Sequence, residues 1–216
     1  MRWTAVVLVG LLVSAGMTDS LTAKIDPSKG RRAISPLIFG VNHDYPGPKD
    51  GTIRRWGGNS TENYNWETNN NNSGTDWQQD SGSWLNRYTP DDQKSSPAAA
   101  IVTWHRESLR RGVPSIVNIP TLGWVAADGS GPVSEAEAAP SKRWKRVVPL
   151  KGKPFSLQPD PSDDVVYTDE LINFLTHTFG RSDSKTGIAY YSVGNEPGLW
   201  SHTHPRIQRE KVSCRE

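Results

Sequence analysis

The chain has 216 residues, with 25 basic and 23 acidic side chains and a formal net charge of +2. No basic block runs beyond a few residues, so nucleic acid is not an implied partner, and the length is enough for one domain with a real core. The single cysteine, Cys214, excludes an intrachain disulfide. At the N-terminus, Arg2, the apolar run Thr4 to Val13 and the small residues Ser14-Ala15-Gly16 read as a secretory signal peptide over 1–20. The run is short for a membrane span, so the mature chain is expected to be secreted and extracellular, with no membrane contact after cleavage; an uncleaved anchor is the alternative. Residues 21–35 alternate loosely and predict an edge strand with a turn at Pro27 to Gly30. Strands are predicted over 36–42, ending in Asn42, and over 52–58, ending in Gly57-Gly58.

Residues 59 to 95 form a long loop dense in Asn, Asp and Ser, with the Asn69 to Asn72 run as a loop tip. Trp66, Trp77 and Trp84 within it argue against disorder, which is poor in aromatics. The spacing predicts a helix over 96–111, capped by Ser96 with Pro97 at its first position and stopped by Gly112. A buried strand follows over 113–120. Residues 126 to 164 read as an irregular surface insertion. A second helix is predicted over 168–179, with Thr168 as cap and Leu171, Leu175 and Phe179 as its apolar stripe. A buried strand over 188–196 closes the series.

Each predicted helix is followed by an apolar run of the fully buried kind, which points to a parallel α/β fold, either a TIM barrel or an open doubly wound sheet. No glycine-rich phosphate motif follows a strand, which argues against nucleotide binding. The last strand carries the chemistry. Ile188, Tyr190, Ser192, Gly194 and Glu196 share one face under the period-2 rule, which delivers Glu196 to a barrel rim. Carboxylates at the C-terminal ends of barrel strands are typically catalytic; a Glu-Pro loop that merely follows a strand is the bland alternative. Nine Trp is many for this length. Indoles suit sugar rings, whose C–H faces and hydroxyl edges match an apolar plane with a polar tip, although some must fill the core.

Four blocks become specific when taken together: Phe39-Gly40-Val41-Asn42, the segment from Arg55-Trp56-Gly57-Gly58-Asn59 to Trp66, Pro120-Thr121-Leu122-Gly123-Trp124, and Gly194-Asn195-Glu196-Pro197 through to Pro205. In this order they resemble the catalytic module of glycoside hydrolase family 44, over about residues 21 to 207. The resemblance implies a (β/α)8 barrel carrying a β-sandwich domain, and endo-hydrolysis of β-1,4-glucans such as cellulose derivatives and xyloglucan with retention of configuration. It assigns Glu196 as general acid/base. Asn195 would bond the sugar 2-hydroxyl, an interaction that strengthens in the transition state. Trp56, Trp66, Trp124 and Trp200 are candidate stacking platforms, and Asn42, Asn59 and His204 lie in matching blocks and would line the groove. The partner implied is a β-glucan polysaccharide or oligosaccharide. No catalytic cofactor is implied and no metal site is assigned, His202 and His204 lacking a third ligand nearby; some family members hold a structural calcium, for which this sequence offers no identifiable ligands.

The chain also departs from that pattern. A complete barrel needs about 250 residues, and only four strands are legible here. The expected architecture is therefore the N-terminal half of a TIM (β/α)8 barrel over 36–207, truncated after its fourth strand. A leading β-sandwich strand over 21–35 precedes it and a divergent polar tail over 208–216 follows. The nucleophile glutamate that the family places on a later strand is missing, and Glu62, Glu67 and Glu107 show no reason to be promoted to it. Negligible hydrolysis by this chain alone is the expectation. A non-catalytic carbohydrate-binding protein on a half-barrel, or a chain without a stable fold, are the alternatives.

Overall fold

The computed structural model describes residues 22–42 and 51–213. The signal peptide expected over 1–20, residues 43–50 and Cys214 lie outside the described residues. The chain divides into two units, Met1–Ile34 and Ser35–Glu216. In the first, the turn expected at Pro27 to Gly30 is present, pinned by Asp26, whose carboxylate accepts from the Ser28 backbone N–H at 3.0 Å and its hydroxyl at 2.6 Å. The edge strand expected over 21–35 does not form among residues 22–34.

In the second unit the described residues form ten strands: β1 (Val41–Asn42), β2 (Arg54–Trp56), β3 (Asn71–Asn72), β4 (Asp80–Gly82), β5 (Ser115–Ile119), β6 (Trp124–Ala126), β7 (Gly131–Pro132), β8 (Trp144–Val148), β9 (Val165–Tyr167) and β10 (Tyr190–Val193). Four α-helices accompany them: α1 (Asn59–Glu62), α2 (Ala99–Arg111), α3 (Thr168–Phe179) and α4 (Trp200–Thr203). The main sheet runs β1-β2-β5-β10 with every pairing parallel, as the alternation of helices and buried strands requires. Among the described residues no helix is long and apolar enough to cross a membrane.

Local signals set the elements that hold this sheet. Helix α2 ends where Gly112 takes the left-handed conformation, φ +68°, and its N–H returns to the Leu109 carbonyl at 3.0 Å. Its start differs from expectation: it begins at Ala99, and Ser96 does not cap it. The Asn69 side chain caps it from a distance, accepting from the Ala100 N–H at 3.3 Å and donating to the Ser96 carbonyl at 2.7 Å. Helix α3 spans the predicted 168–179 and buries Leu171, Leu175 and Phe179, with Thr168 as its first residue and not its cap. The strand expected over 36–42 keeps only its last two residues. Pro36 opens a 3-10 turn, Pro36–Ile38, which the Ser35 hydroxyl caps by accepting from the Leu37 N–H at 3.3 Å.

The two predicted loops are ordered as sheet. β3, β4 and β7 form one antiparallel sheet; β6, β8 and β9 form another, mixed one. Asn69, Asn71 and Asn72 are buried, not a loop tip. Their short amides take the place of backbone partners: Asn72 donates to the Gln79 carbonyl at 2.6 Å and to Ser81 Oγ at 2.9 Å, and its N–H meets Asn63 Oδ1 at 2.8 Å.

The core lies between the main sheet and helices α2 and α3. Trp56 packs edge-on against Tyr64 at 5.7 Å and Trp104 at 5.9 Å, surrounded by Ile101, Val117 and Ile119. Trp56→Ala is expected to cost about 3–5 kcal/mol of folding stability, read as a fall in the urea midpoint of the whole chain.

Candidate active site

β10 ends in a sharp change of direction. Gly194 adopts φ +72°, and a Cβ there would lie 2.4 Å from Thr121 Oγ1. Glu196 also sits in the left-handed region, φ +47°, a conformation that costs a non-glycine residue energy and gathers at functional sites. The alternation that was to carry Glu196 along the face of Tyr190 and Ser192 therefore breaks at Gly194, and the turn aims the carboxylate instead. On the other face of β10, Tyr191 packs on the core, while Val193 is exposed.

Asn195, buried beneath Glu196, is held at every polar atom. Its N–H donates to Glu62 Oε2 at 2.6 Å and its carbonyl accepts the Trp200 indole N–H at 2.7 Å. Its Oδ1 accepts from the Arg55 guanidinium at 2.8 Å. Its Nδ2 faces Glu196 Oε2 at 3.3 Å and Asn59 Oδ1 at 3.5 Å. Arg55 in turn donates to Asn42 Oδ1 at 2.9 Å, and the Asn59 amide donates to both Asp76 oxygens at 3.0 Å. A Cβ at Gly57 would come 2.3 Å from the Arg55 guanidinium, so a side chain there would push Arg55 off Asn195. Glu196 itself is exposed to solvent.

Under this cluster lies a buried carboxylate. Glu62 Oε1 accepts from the Thr121 N–H at 2.7 Å, the Thr121 hydroxyl at 3.1 Å and the Leu122 N–H at 2.9 Å. Its Oε2 accepts from Asn118 Nδ2 at 3.0 Å and from the Asn195 N–H. Burial pushes this carboxyl above its usual range, against the pull of those donors. With both oxygens only accepting, the geometry suits the anion. Glu62 thus ties the ends of β5 and β10 to the segment after β2. Nothing in the sequence marks it out: in the chain it is an acid in a polar stretch, and its burial exists only where three strand ends converge.

The model of glycoside hydrolase family 44 matches residues 70–216. This chain belongs to glycoside hydrolase family 44. It is 44% identical over 206 residues to endoglucanase A of Paenibacillus lautus, a match covering 94% of this chain and 29% of that protein. It is 44% identical over 195 residues to the β-mannanase/endoglucanase A of Caldicellulosiruptor saccharolyticus, covering 89% of this chain and 14% of that one. A solved family 44 xyloglucanase from Paenibacillus polymyxa superposes with a TM-score of 0.82 at 46% identity, over 86% of this chain and 36% of that chain; a structure of a xyloglucanase from that species and family with xyloglucan matches with the same TM-score and identity. The chain thus spans well under half the length of these relatives.

Of the residues the family resemblance singled out, the structure brings together Asn42, Asn59, Asn195, Glu196 and Trp200. Trp200 is half-buried, and a Cβ on Gly194 would lie 3.5 Å from its ring, so it supports the turn beneath Asn195. Trp56 and Trp66 are corrected: both are buried and neither offers a ring face to a sugar. In β2, alternation turns Arg55 to the site and Trp56 to the core. Trp124 lines a separate groove, with Trp144 and Arg146. Trp84 takes up a place the sequence had not assigned, lining a hollow of about 160 Å³ with Gly57, Gly58, Asn59 and Asp76. Its indole N–H donates to Ser60 Oγ at 3.1 Å. The signal was available, since Trp77 and Trp84 both stand exposed in a polar loop, but only folding sets Trp84 beside Asn59. Among the described residues, no three His, Cys, Asp or Glu side chains converge as metal ligands would.

His204 is also corrected. It is 1% exposed and locks α4 to the turn at Gly74, where a Cβ would strike the Thr203 carbonyl at 2.2 Å. Its Nδ1 faces the Asn63 amide at 3.3 Å. Burial holds its imidazole down at about 4, against a smaller upward pull from Asp76. In the unfolded chain the ring titrates near 6.5, so the unfolded state takes up the proton first as pH falls. His204 therefore contributes stability that is present above about pH 6.5 and lost as pH drops through about 4, amounting to about 3 kcal/mol. Urea unfolding across that window should show the loss, and His204→Gln should shrink it.

Proposed function

We propose that this chain forms the acid/base side of a secreted, retaining endo-β-1,4-glucanase acting on cellulose-type glucans or xyloglucan, with Glu196 as the proton donor. Its four parallel strands, β1-β2-β5-β10, would be the first staves of a (β/α)8 barrel, with a β-sandwich domain belonging to the rest of the module. One observation carries the reading: Glu196 stands exposed at the C-terminal end of β10 beside Asn195, whose side-chain amide is oriented by Arg55 and Asn59 and whose backbone N–H is held by Glu62. On substrate binding the Nδ2–H that faces Glu196 would turn to a sugar hydroxyl next to the bond being broken, leaving Glu196 to protonate the departing oxygen. The hollow beside Asn59, with the Trp84 indole on its wall, would receive one ring of the chain.

A retaining reaction also needs a nucleophilic carboxylate about 5–5.5 Å from the donor. Glu62 is enclosed by five donors and Asp76 is engaged by Asn59, so neither is free to attack. The chain by itself is therefore expected to bind glucan oligosaccharides without turning them over. A reducing-sugar assay of the purified chain on xyloglucan and carboxymethylcellulose tests this. No release above blank is expected; turnover that vanishes in Glu196→Gln would show that the second carboxylate is already present.

A further inference from the structure

The β6–β8–β9 sheet has an outward face that the site above does not use. Val125, Val147 and Val166 point into the core. Trp124, Arg146 and Val165, opposite one another across the three strands, take the other face. The contrast within β8 is sharp. Lys145 points inward and pairs with Glu67 at 3.1 Å and Asp163 at 3.8 Å. Arg146, the next residue, points outward, and its guanidinium makes no ion pair or hydrogen bond among the described residues; nor does the ammonium of Lys142. Pro140 to Lys142 join this face in lining an open groove of about 470 Å³, within the roughly 300–1,000 Å³ usual for small-ligand sites. Its back is Trp144, fixed by an indole N–H bond to the Glu137 carbonyl at 3.0 Å. Trp124 is half-buried and lines the groove. Lys142, Arg146 and one carboxylate, Asp164, line the groove together with the two tryptophans.

We propose that this groove is a second carbohydrate site, selective for an acidic glycan: the apolar face of a sugar ring lies on Trp124, and a uronate carboxylate sits between Lys142 and Arg146. A guanidinium matches a carboxylate in a two-pronged contact, and an indole supplies the flat apolar partner a pyranose needs. Asp164 remains as an acceptor for a ring hydroxyl. That the ligand is a glycan rests on the family 44 reading above; the acidic preference rests on the two cations.

The test titrates the full chain with a uronic-acid-bearing xylotetraose and, separately, with neutral cellotetraose, following tryptophan fluorescence and heat. The acidic probe is expected to bind more tightly and to weaken with added salt. Arg146→Gln and Trp124→Ala should each weaken it about tenfold, the scale of one charge-assisted contact, while cellotetraose affinity stays unchanged in Arg146→Gln. Arg146 is exposed, so its variant should melt with the parent and report on binding alone. The proposal is overturned if the acidic probe binds no more tightly than the neutral one or is indifferent to Arg146→Gln. It is equally overturned if a triglutamate peptide of like charge binds as well, since bare charge would then suffice. Loss of cellotetraose binding with acidic binding intact would count against the mouth around Glu196 and leave the groove standing.

Discussion

Glu196→Gln is expected to lower turnover of xyloglucan by about 10²–10⁴-fold, the usual worth of a general acid. The setting is a chimera in which residues 35–207 replace the matching segment of the Paenibacillus polymyxa xyloglucanase, so that the rest of the catalytic module is supplied. The substitution is nearly isosteric. A glutamine oxygen can still accept from the Asn195 amide, which lies 3.3 Å from Glu196 Oε2, so the local turn should survive. What is lost is the proton. The effect should therefore fall on kcat, with substrate affinity little altered, because a group that acts only as the bond breaks adds little to ground-state binding. Steady-state kinetics on xyloglucan separate the two quantities.

The second large effect is on folding. Glu62→Ala would leave the N–H groups of Thr121, Leu122 and Asn195 and the Asn118 amide without their acceptor in a buried site. Unpaired buried donors cost about 1–3 kcal/mol each before relaxation, so a net loss of about 3–5 kcal/mol is expected. For a chain of this size that corresponds to a fall of about 10 °C in Tm. Glu62→Gln should lie between, since it keeps one acceptor oxygen but sets an amide N–H against two donors. Thermal melts of the two variants and the parent give the ranking. A loss below about 1 kcal/mol in Glu62→Ala would mean that water replaces the carboxylate without strain, and that the strand ends do not depend on it.

The contrast between Glu62 and Glu196 shows which parts of the molecule are legible in a sequence. Helix α3 and strand β5 are readable because their causes are local: an apolar stripe at Leu171, Leu175 and Phe179, and an apolar run between Gly112 and Pro120. The two small sheets are not. β3, β6, β7 and β9 are two or three residues long, too short for a period to show, and they are held by side chains distant in sequence, such as Lys145 against Glu67. The asparagine run reads as a loop tip by composition, yet its amides do the work of absent backbone partners, which only the folded arrangement reveals. Glu196 was legible because a carboxylate follows an apolar strand within a block that resembles a family motif. Its direction was not, because Gly194 and Glu196 both leave the extended region and the period-2 rule ends with the strand. The family resemblance makes Trp56 and Trp66 candidates for the groove. Alternation within Arg54-Arg55-Trp56 was the better guide: Arg55 bonds Asn195 at the site, while Trp56 and Arg54 turn to helix α2, where Arg54 donates to the Trp104 carbonyl at 3.0 Å and to Ser108 Oγ at 2.7 Å.

Proton donation by Glu196 is the claim on which the functional reading stands, and leaving-group dependence addresses it most directly. In the Glu196→Gln chimera, hydrolysis of a dinitrophenyl cellobioside, whose leaving group departs without a proton, should proceed to its covalent intermediate at close to the parent rate, while xyloglucan turnover collapses. Equal losses on both substrates, or no loss on either, would contradict the role assigned to this carboxyl.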